Sequence, residues 1–204
     1  MQNIVVLTDF SYLSFNALEL AKKIAEKMDG TIHLVHVIEA HSDHYVSIGE
    51  PIEDNLSAAY TNLILEKTKT ELERIKQAHA SRFYDIKTTV LTGDPYQETK
   101  QFIEYVNPDL MVLGAKGQSD AKELFLGSFS DKIVRSIPCP VVTVKDNVEE
   151  NQFINIVYAT DLKEEHKELI RLLKKFQALF ESSLHLVKIN TPKNFSNDID
   201  TLGS

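Results

Sequence analysis

Residues 114 to 128 read GAKGQSDAKELFLGS and hold Gly114, Gly117 and Gly127, three of the seven glycines in a chain of 204 residues. A residue without a side chain lets backbone amides close on an anion, and Ser128 and Ser130 add hydroxyl donors where a helix is expected to begin. Free N–H groups and the positive end of the helix dipole converge at such a start. The chemistry favoured is phosphate binding; its bland alternative is a strand that ends at Gly114 and a loop relieved of crowding at Gly127. A second cluster, Thr8-Asp9-Phe10-Ser11, follows the first apolar run. It contains no glycine, so the dinucleotide fingerprint is missing from its required place and hydride transfer is not expected. Asp9 suits either contact with a ligand or capping of the next helix, a task that Ser11 can perform equally well.

The elements that must position these residues alternate between strand and helix patterns. Ile4 to Leu7 is a short apolar run; Ala17, Leu18, Ala21, Ile24, Ala25 and Met28 then recur at helical spacing until Asp29-Gly30 stops them. A strand over Ile32 to Ile38 leads through a polar crossover containing Pro51 to a long helical pattern of Leu56, Ala59, Leu63, Leu72 and Ile75. Ile86, Thr88 and Val90 alternate as a third strand. Asp94 then reads as an N-cap with Pro95 at the first helical position, followed by Thr99, Phe102, Ile103 and Val106 on one face. Leu110 to Leu113 is wholly apolar, as a central parallel strand covered on both sides must be. Phe129, Ile133 and Val134 mark a last helix, and Val141 to Val144 a fifth strand. The expectation is an α/β domain with a five-stranded, doubly wound, Rossmann-like parallel sheet. Ligands of such sheets bind beyond the carboxyl ends of the strands, where both clusters fall.

The chain then begins again. NIVVLTD at residues 3–9 returns as NIVYATD at 155–161, an offset of 152 that also carries Leu20, Lys22 and Lys23 onto Leu172, Lys174 and Lys175, and His33-Leu34-Val35 onto His185-Leu186-Val187. So long a period belongs to a repeated domain rather than a solenoid. The organisation expected is a domain at 1–146, a linker at 147–152, and an incomplete second repeat at 153–204 whose β-α-β elements stop before a second glycine loop. Its helix carries Leu169, Leu172, Leu173, Phe176, Leu179 and Phe180 on one apolar face. A fragment of this size needs cover, which predicts a homo-oligomer, at least a dimer, with the strands at Ile154 to Ala159 and Leu184 to Ile189 near the contact.

Charge and composition narrow the partners. A net charge of −8 argues against a broad nucleic-acid surface or an anionic membrane surface. No apolar run approaches the roughly 18 residues of a membrane span, and strand-like sequence starts at once, without the pattern of a signal peptide. Together with a single cysteine, Cys139, which excludes an internal disulfide framework, this predicts a cytoplasmic protein. Cys139 between two prolines reads as a small buried residue. His41-Ser42-Asp43-His44 lacks a third ligand of fixed spacing and reads as a solvated loop rather than a metal site. His33 and His185 read as packing positions.

The spacing G-x2-G-x9-G-S from Gly114 to Ser128, with its flanks PDLMVLG and SIPCPVVTV, resembles the nucleotide-binding motif of the universal stress protein family. The resemblance covers residues 2 to 145 and restarts at 153. It implies ATP at the carboxyl edge of the sheet, with Asp9 near the adenosine and the Val37 backbone on the base. Gly114, Gly117, Gly127 and Ser128 would hold the phosphates, with Mg²⁺ or Mn²⁺, and Thr8, Leu113, Lys116, Phe129 and Ser130 complete the binding set. The chain departs from the family pattern at Leu7, where a proline is common, at Phe129, and at Asp120 and Glu123 inside the loop, whose charge Lys116 and Lys122 offset. The function implied is a nucleotide-dependent stress-response regulator. No catalytic constellation is found, and slow ATP hydrolysis stays open. Two alternatives remain: a scaffold of the same fold that dimerises without nucleotide, and a receiver-type signalling domain. The receiver has Asp9 and Lys145 near strand ends but lacks an aspartate after the central strand, where Leu113 precedes Gly114.

Overall fold

The computed structural model describes residues 2–39, 54–115, 128–147, 153–160 and 167–188. Contacts divide the chain into two compact units, Met1–Val148 and Glu149–Ser204. The first contains β1 (Asn3–Leu7), α1 (Tyr12–Glu26), β2 (Thr31–Glu39), α2 (Asp54–Ala78), β3 (Asp85–Gly93), α3 (Pro95–Val106), β4 (Leu110–Gly114), α4 (Ser128–Ser136) and β5 (Val141–Val144). All five strands are parallel, in the order β3-β2-β1-β4-β5. The α/β doubly wound sheet expected from the sequence is the observed fold.

Right-handed crossovers place α1 and α2 on one face of this sheet and α3 and α4 on the other. Alternate residues of the central strands serve the two faces. Val5, Val35, Met111 and Leu113 join Ile103 of α3 and Ile133 of α4 in one core, with Phe102, Phe129 and Cys139 packed around it. Ile4, Val6, Ile32, Leu34, Leu110 and Val112, all fully buried, make the opposite layer. Two apolar residues of the helical patterns fall outside these layers. Leu63 is 51 % and Val134 38 % exposed, because periodicity marks a stripe on a helix without saying how far the neighbouring element extends beneath it.

Helix ends are set locally. The Ser11 hydroxyl caps α1 by accepting from Ser14 N at 3.3 Å, and Asp94 caps α3 by accepting from Gln97 N at 2.8 Å, with Pro95 in the first turn. Asn107 ends α3 in the left-handed conformation (φ 46°), its N–H donating to Ile103 O. Just before the Asp94 cap, Gly93 is the last residue of β3 and adopts φ 147°.

The second unit contains β6 (Asn155–Ala159), α5 (Lys167–Phe180) and β7 (Ser183–Val187), with β6 and β7 parallel. β6 starts one residue later than the expected run and β7 one residue earlier, ending at Val187, with Ile189 outside the described residues; Leu169 lies 40 % exposed on the helix face read as apolar. Its register repeats that of β1 and β2 at an offset of 152: Asn3↔Thr31 through Leu7↔Val35 become Asn155↔Ser183 through Ala159↔Val187. Bonds outside the ladders repeat as well. Thr8 N–H donates to Val35 O at 2.9 Å and Thr160 N–H to Val187 O at 3.0 Å, while Asp29 and Glu181 take the same left-handed turn at φ 53° and 54°. His33 and His185, expected as packing positions, each place Nε2 beside an asparagine Oδ1, at 3.2 Å from Asn3 and 2.9 Å from Asn155.

Candidate functional site

β1 stops at Leu7, whereas its neighbour β2 continues four residues past the partner of Leu7, to Glu39. The fork left between them, widened by the end of β4, opens a cleft of about 590 Å³ at the carboxyl edge of the sheet. Leu7, Val35, Leu113 and Phe129 give it apolar walls, and Thr8, Asp9, His36, Gly114 and Ser130 place polar groups around them. Of the residues expected from the sequence, Thr8, Asp9, Val37, Leu113, Gly114, Phe129 and Ser130 line this one cleft. Ser128 stands exposed at the first position of α4, outside the lining. Lys116, Gly117 and Gly127 lie outside the described residues, as do Asp120, Lys122, Glu123, Asp161 and the His41 to His44 segment.

The turn after β1 is locked from several directions. The Thr8 hydroxyl accepts from Phe10 N at 3.0 Å and lies 3.0 Å from the Ser14 hydroxyl. The Asp9 carboxylate accepts from Ser11 N at 2.9 Å, so Asp9 orders the turn while Ser11 caps the helix. Burial by itself would raise the Asp9 carboxyl, but hydrogen bonds from the Ser11 and Ser14 side chains and from the backbone of Ser11 and of Asp9 itself outweigh it and hold the group below its ordinary value. The charge is therefore present throughout the neutral range. Any stability it contributes is complete above the usual carboxylate pKa and is lost as pH falls through the lowered value. Phe10 pays the conformational cost of this turn with φ 61°, a backbone region that aromatic residues rarely enter.

His36 was not singled out by the sequence. Its ring lies 4.6 Å from that of Phe10, and its Nδ1 is 2.7 Å from the Thr8 carbonyl oxygen. A carbonyl only accepts, so Nδ1 carries the hydrogen. The residue after it, Val37, presents backbone to the cleft. Along β2 the odd-numbered residues direct N–H and C=O toward β1, as the bonds of Thr31 N–H to Gln2 O and of Thr8 N–H to Val35 O show. Val37 is the next in that series, beyond the end of β1, and its N–H and C=O have no β1 partner. A donor and an acceptor thus stand side by side at the rim.

Gly114 has a packing reason beside the one its motif suggests. A Cβ there would lie 2.6 Å from the Leu13 carbonyl carbon and 2.9 Å from Ser14 N, so the missing side chain lets α1 cross the end of β4. Cys139 is half-buried, and burial pushes its thiol up to about 11. Its modification by a disulfide reagent at neutral pH should run at least about tenfold more slowly in the folded chain than in urea, measured by released thiolate absorbance. Among the described residues no three His, Cys, Asp or Glu side chains form a metal-holding group, and no helix is long and apolar enough to cross a membrane.

Comparison with known proteins bears on the first unit and, for some solved structures, extends into the second. A universal stress protein of Methanocaldococcus jannaschii is 28% identical over 149 residues, covering 73% of this chain and 85% of that protein. The solved universal stress protein of Lactobacillus plantarum shares the fold with a TM-score of 0.59 at 22% identity, over 71% of this chain and 97% of its own. That of Archaeoglobus fulgidus reaches a TM-score of 0.72 at 20% identity over 94% of this chain, which spans 68% of the longer neighbour. The sequence pattern of the universal stress protein family matches residues 1–145, and the chain belongs to that family.

Proposed function

We propose that the cleft binds ATP and that the chain is a nucleotide-dependent regulator of the stress response. The observation that carries this reading is the Val37 peptide, whose N–H and C=O face the cleft between apolar walls without a backbone partner among the described residues of β1 and its following turn. An adenine ring fits that arrangement, since its N1 accepts beside an amino group that donates, and its faces are apolar. Guanine offers the two groups in the reverse order. Asp9 then suits the ribose hydroxyls, and Ser130 with Ser128 and the first amides of α4 suits the phosphates, which Lys116, Gly117 and Gly127 would enclose. Among the lining residues Asp9 is the sole acid, so a Mg²⁺ or Mn²⁺ would be carried by the phosphates rather than by a resident protein site. Slow hydrolysis is compatible with this chemistry, and a cytoplasmic location with its substrate. Titration calorimetry should show ATP binding and GTP weaker by at least about tenfold, the loss of one to two well-formed hydrogen bonds. Equal affinity for the two, or none for either, would overturn the reading and leave a scaffold of the same fold.

The 152-residue recurrence supports reading 153–204 as part of a second copy of the domain, joined through a linker at 147–152. Every residue of β7 is exposed, and Ile154, Val157 and Leu186 expose more than half their surface. That much apolar surface favours self-association into at least a dimer. Removing residues 150–204 should lower the number of chains per particle, taken from light scattering, while ATP binding persists; an unchanged number would refute the role of this unit in assembly.

A further inference from the structure

The β1–β2 ladder ends in an unusual way. Thr8 N–H reaches Val35 O, and in a continuing parallel ladder the next bond would run from Val37 N–H to Thr8 O. That bond is absent, and the Thr8 carbonyl is taken instead by His36 Nδ1 at 2.7 Å. The imidazole reaching it comes from the residue adjacent to Val37, and its own position is fixed by Phe10, whose ring stacks at 4.6 Å. Phe10 is in turn tied back to the Thr8 hydroxyl through its N–H at 3.0 Å. One side chain thus consumes the acceptor that would otherwise close the fork.

We propose that His36 is a positioning residue: by donating from Nδ1 to the Thr8 carbonyl it holds that carbonyl away from the Val37 N–H and keeps the amide open for a ligand's base. The inference rests on the nucleotide reading for the identity of the ligand, but the opened amide is a property of the free protein. It also distinguishes the two β-α-β units. At the offset of 152 the position of His36 is held by Lys188, which cannot replace a planar ring donor packed on an aromatic neighbour, and Phe10 corresponds to Leu162.

Two substitutions separate the parts of the side chain. His36→Phe keeps a ring against Phe10 and removes the donor, whereas His36→Asn removes the ring and keeps an N–H close to the place of Nδ1. Amide hydrogen exchange of the ¹⁵N-labelled, ligand-free full chain reads the result at one residue. In the parent protein Val37 should exchange at least about tenfold faster than Val35, its neighbour in the ladder. His36→Phe should slow Val37 by about tenfold or more as the Thr8 carbonyl closes onto it, and His36→Asn should leave it fast. Should His36→Phe not fold, His36→Leu makes the same deletion. A protected Val37 in the parent, or unchanged exchange in the donor-deleted variant, overturns the proposal. The second arm is calorimetry with adenosine, AMP and ATP, each expected to weaken about tenfold in the donor-deleted variant and little in His36→Asn. Failure of the parent to bind any of the three overturns the nucleotide reading, while the exchange result still decides the role of His36.

Discussion

Gly114→Ala should destabilise the domain by about 3 kcal/mol, among the larger effects a single added methyl can have. The added Cβ would sit 2.6 Å from the carbonyl carbon of Leu13, 2.7 Å from its oxygen and 2.9 Å from Ser14 N. These are backbone atoms at the start of α1, held by the Ser11 cap and by the bond between the Thr8 and Ser14 hydroxyls. No rotamer change relieves the collision. The helix must lift from β4, exposing part of the layer built from Leu110, Val112 and Ala17, which are fully buried. Urea unfolding should show a lower midpoint with little change in slope, and thermal unfolding a fall of about 10 °C for a domain of this size. Parent-like stability would mean that α1 and β4 do not approach as described. A phosphate role alone predicts the contrary result, a stable protein that has lost only its ligand.

Asp9→Ala should weaken ATP binding about thirtyfold, the contribution of roughly 2 kcal/mol expected of hydrogen bonds to a charged acceptor. Its carboxylate lines the cleft and is kept ionised by Ser11 and Ser14, so it stands ready to accept from paired hydroxyls without a change of protonation. Contact with the ribose requires AMP to lose as much as ATP. A loss confined to ATP would place Asp9 at the phosphate or metal end. The variant also forfeits the bond from Ser11 N, which should cost about 1 kcal/mol of stability, so affinity must be compared where both proteins are folded.

Much of the fold was legible because it is written in local terms. Asp94-Pro95 announced the start of α3, and the unbroken apolar run of β4 announced a strand covered on both faces. Thr8, Asp9, Leu113 and Gly114 could be placed at strand ends from pattern alone. His36 could not. In sequence it is an interior position of an apolar strand, and it becomes part of the cleft only because β1 ends earlier than β2, which is a fact about two segments together. Phe10 was equally hidden, since nothing in an aromatic residue signals a left-handed backbone. Gly114 was noticed for its motif, while its contact with the start of α1 was hidden: a glycine demanded by helix-to-strand contact and one demanded by an anion look alike in a sequence.

The repeated β-α-β geometry bears on which positions set the shape and which set the chemistry. Asn3 with His33, Asp29 with its left-handed turn, and the bond from Thr8 N–H to Val35 O all have counterparts at Asn155 with His185, Glu181, and Thr160 with Val187. Ser11, Ser14 and His36 correspond in sequence to Lys163, His166 and Lys188. The two β-α-β units therefore share strands, register and turn while differing in sequence at positions that line the cleft in the first. Backbone shape and the side chains that would meet a ligand are thus set by separate residues, so one can be changed without the other.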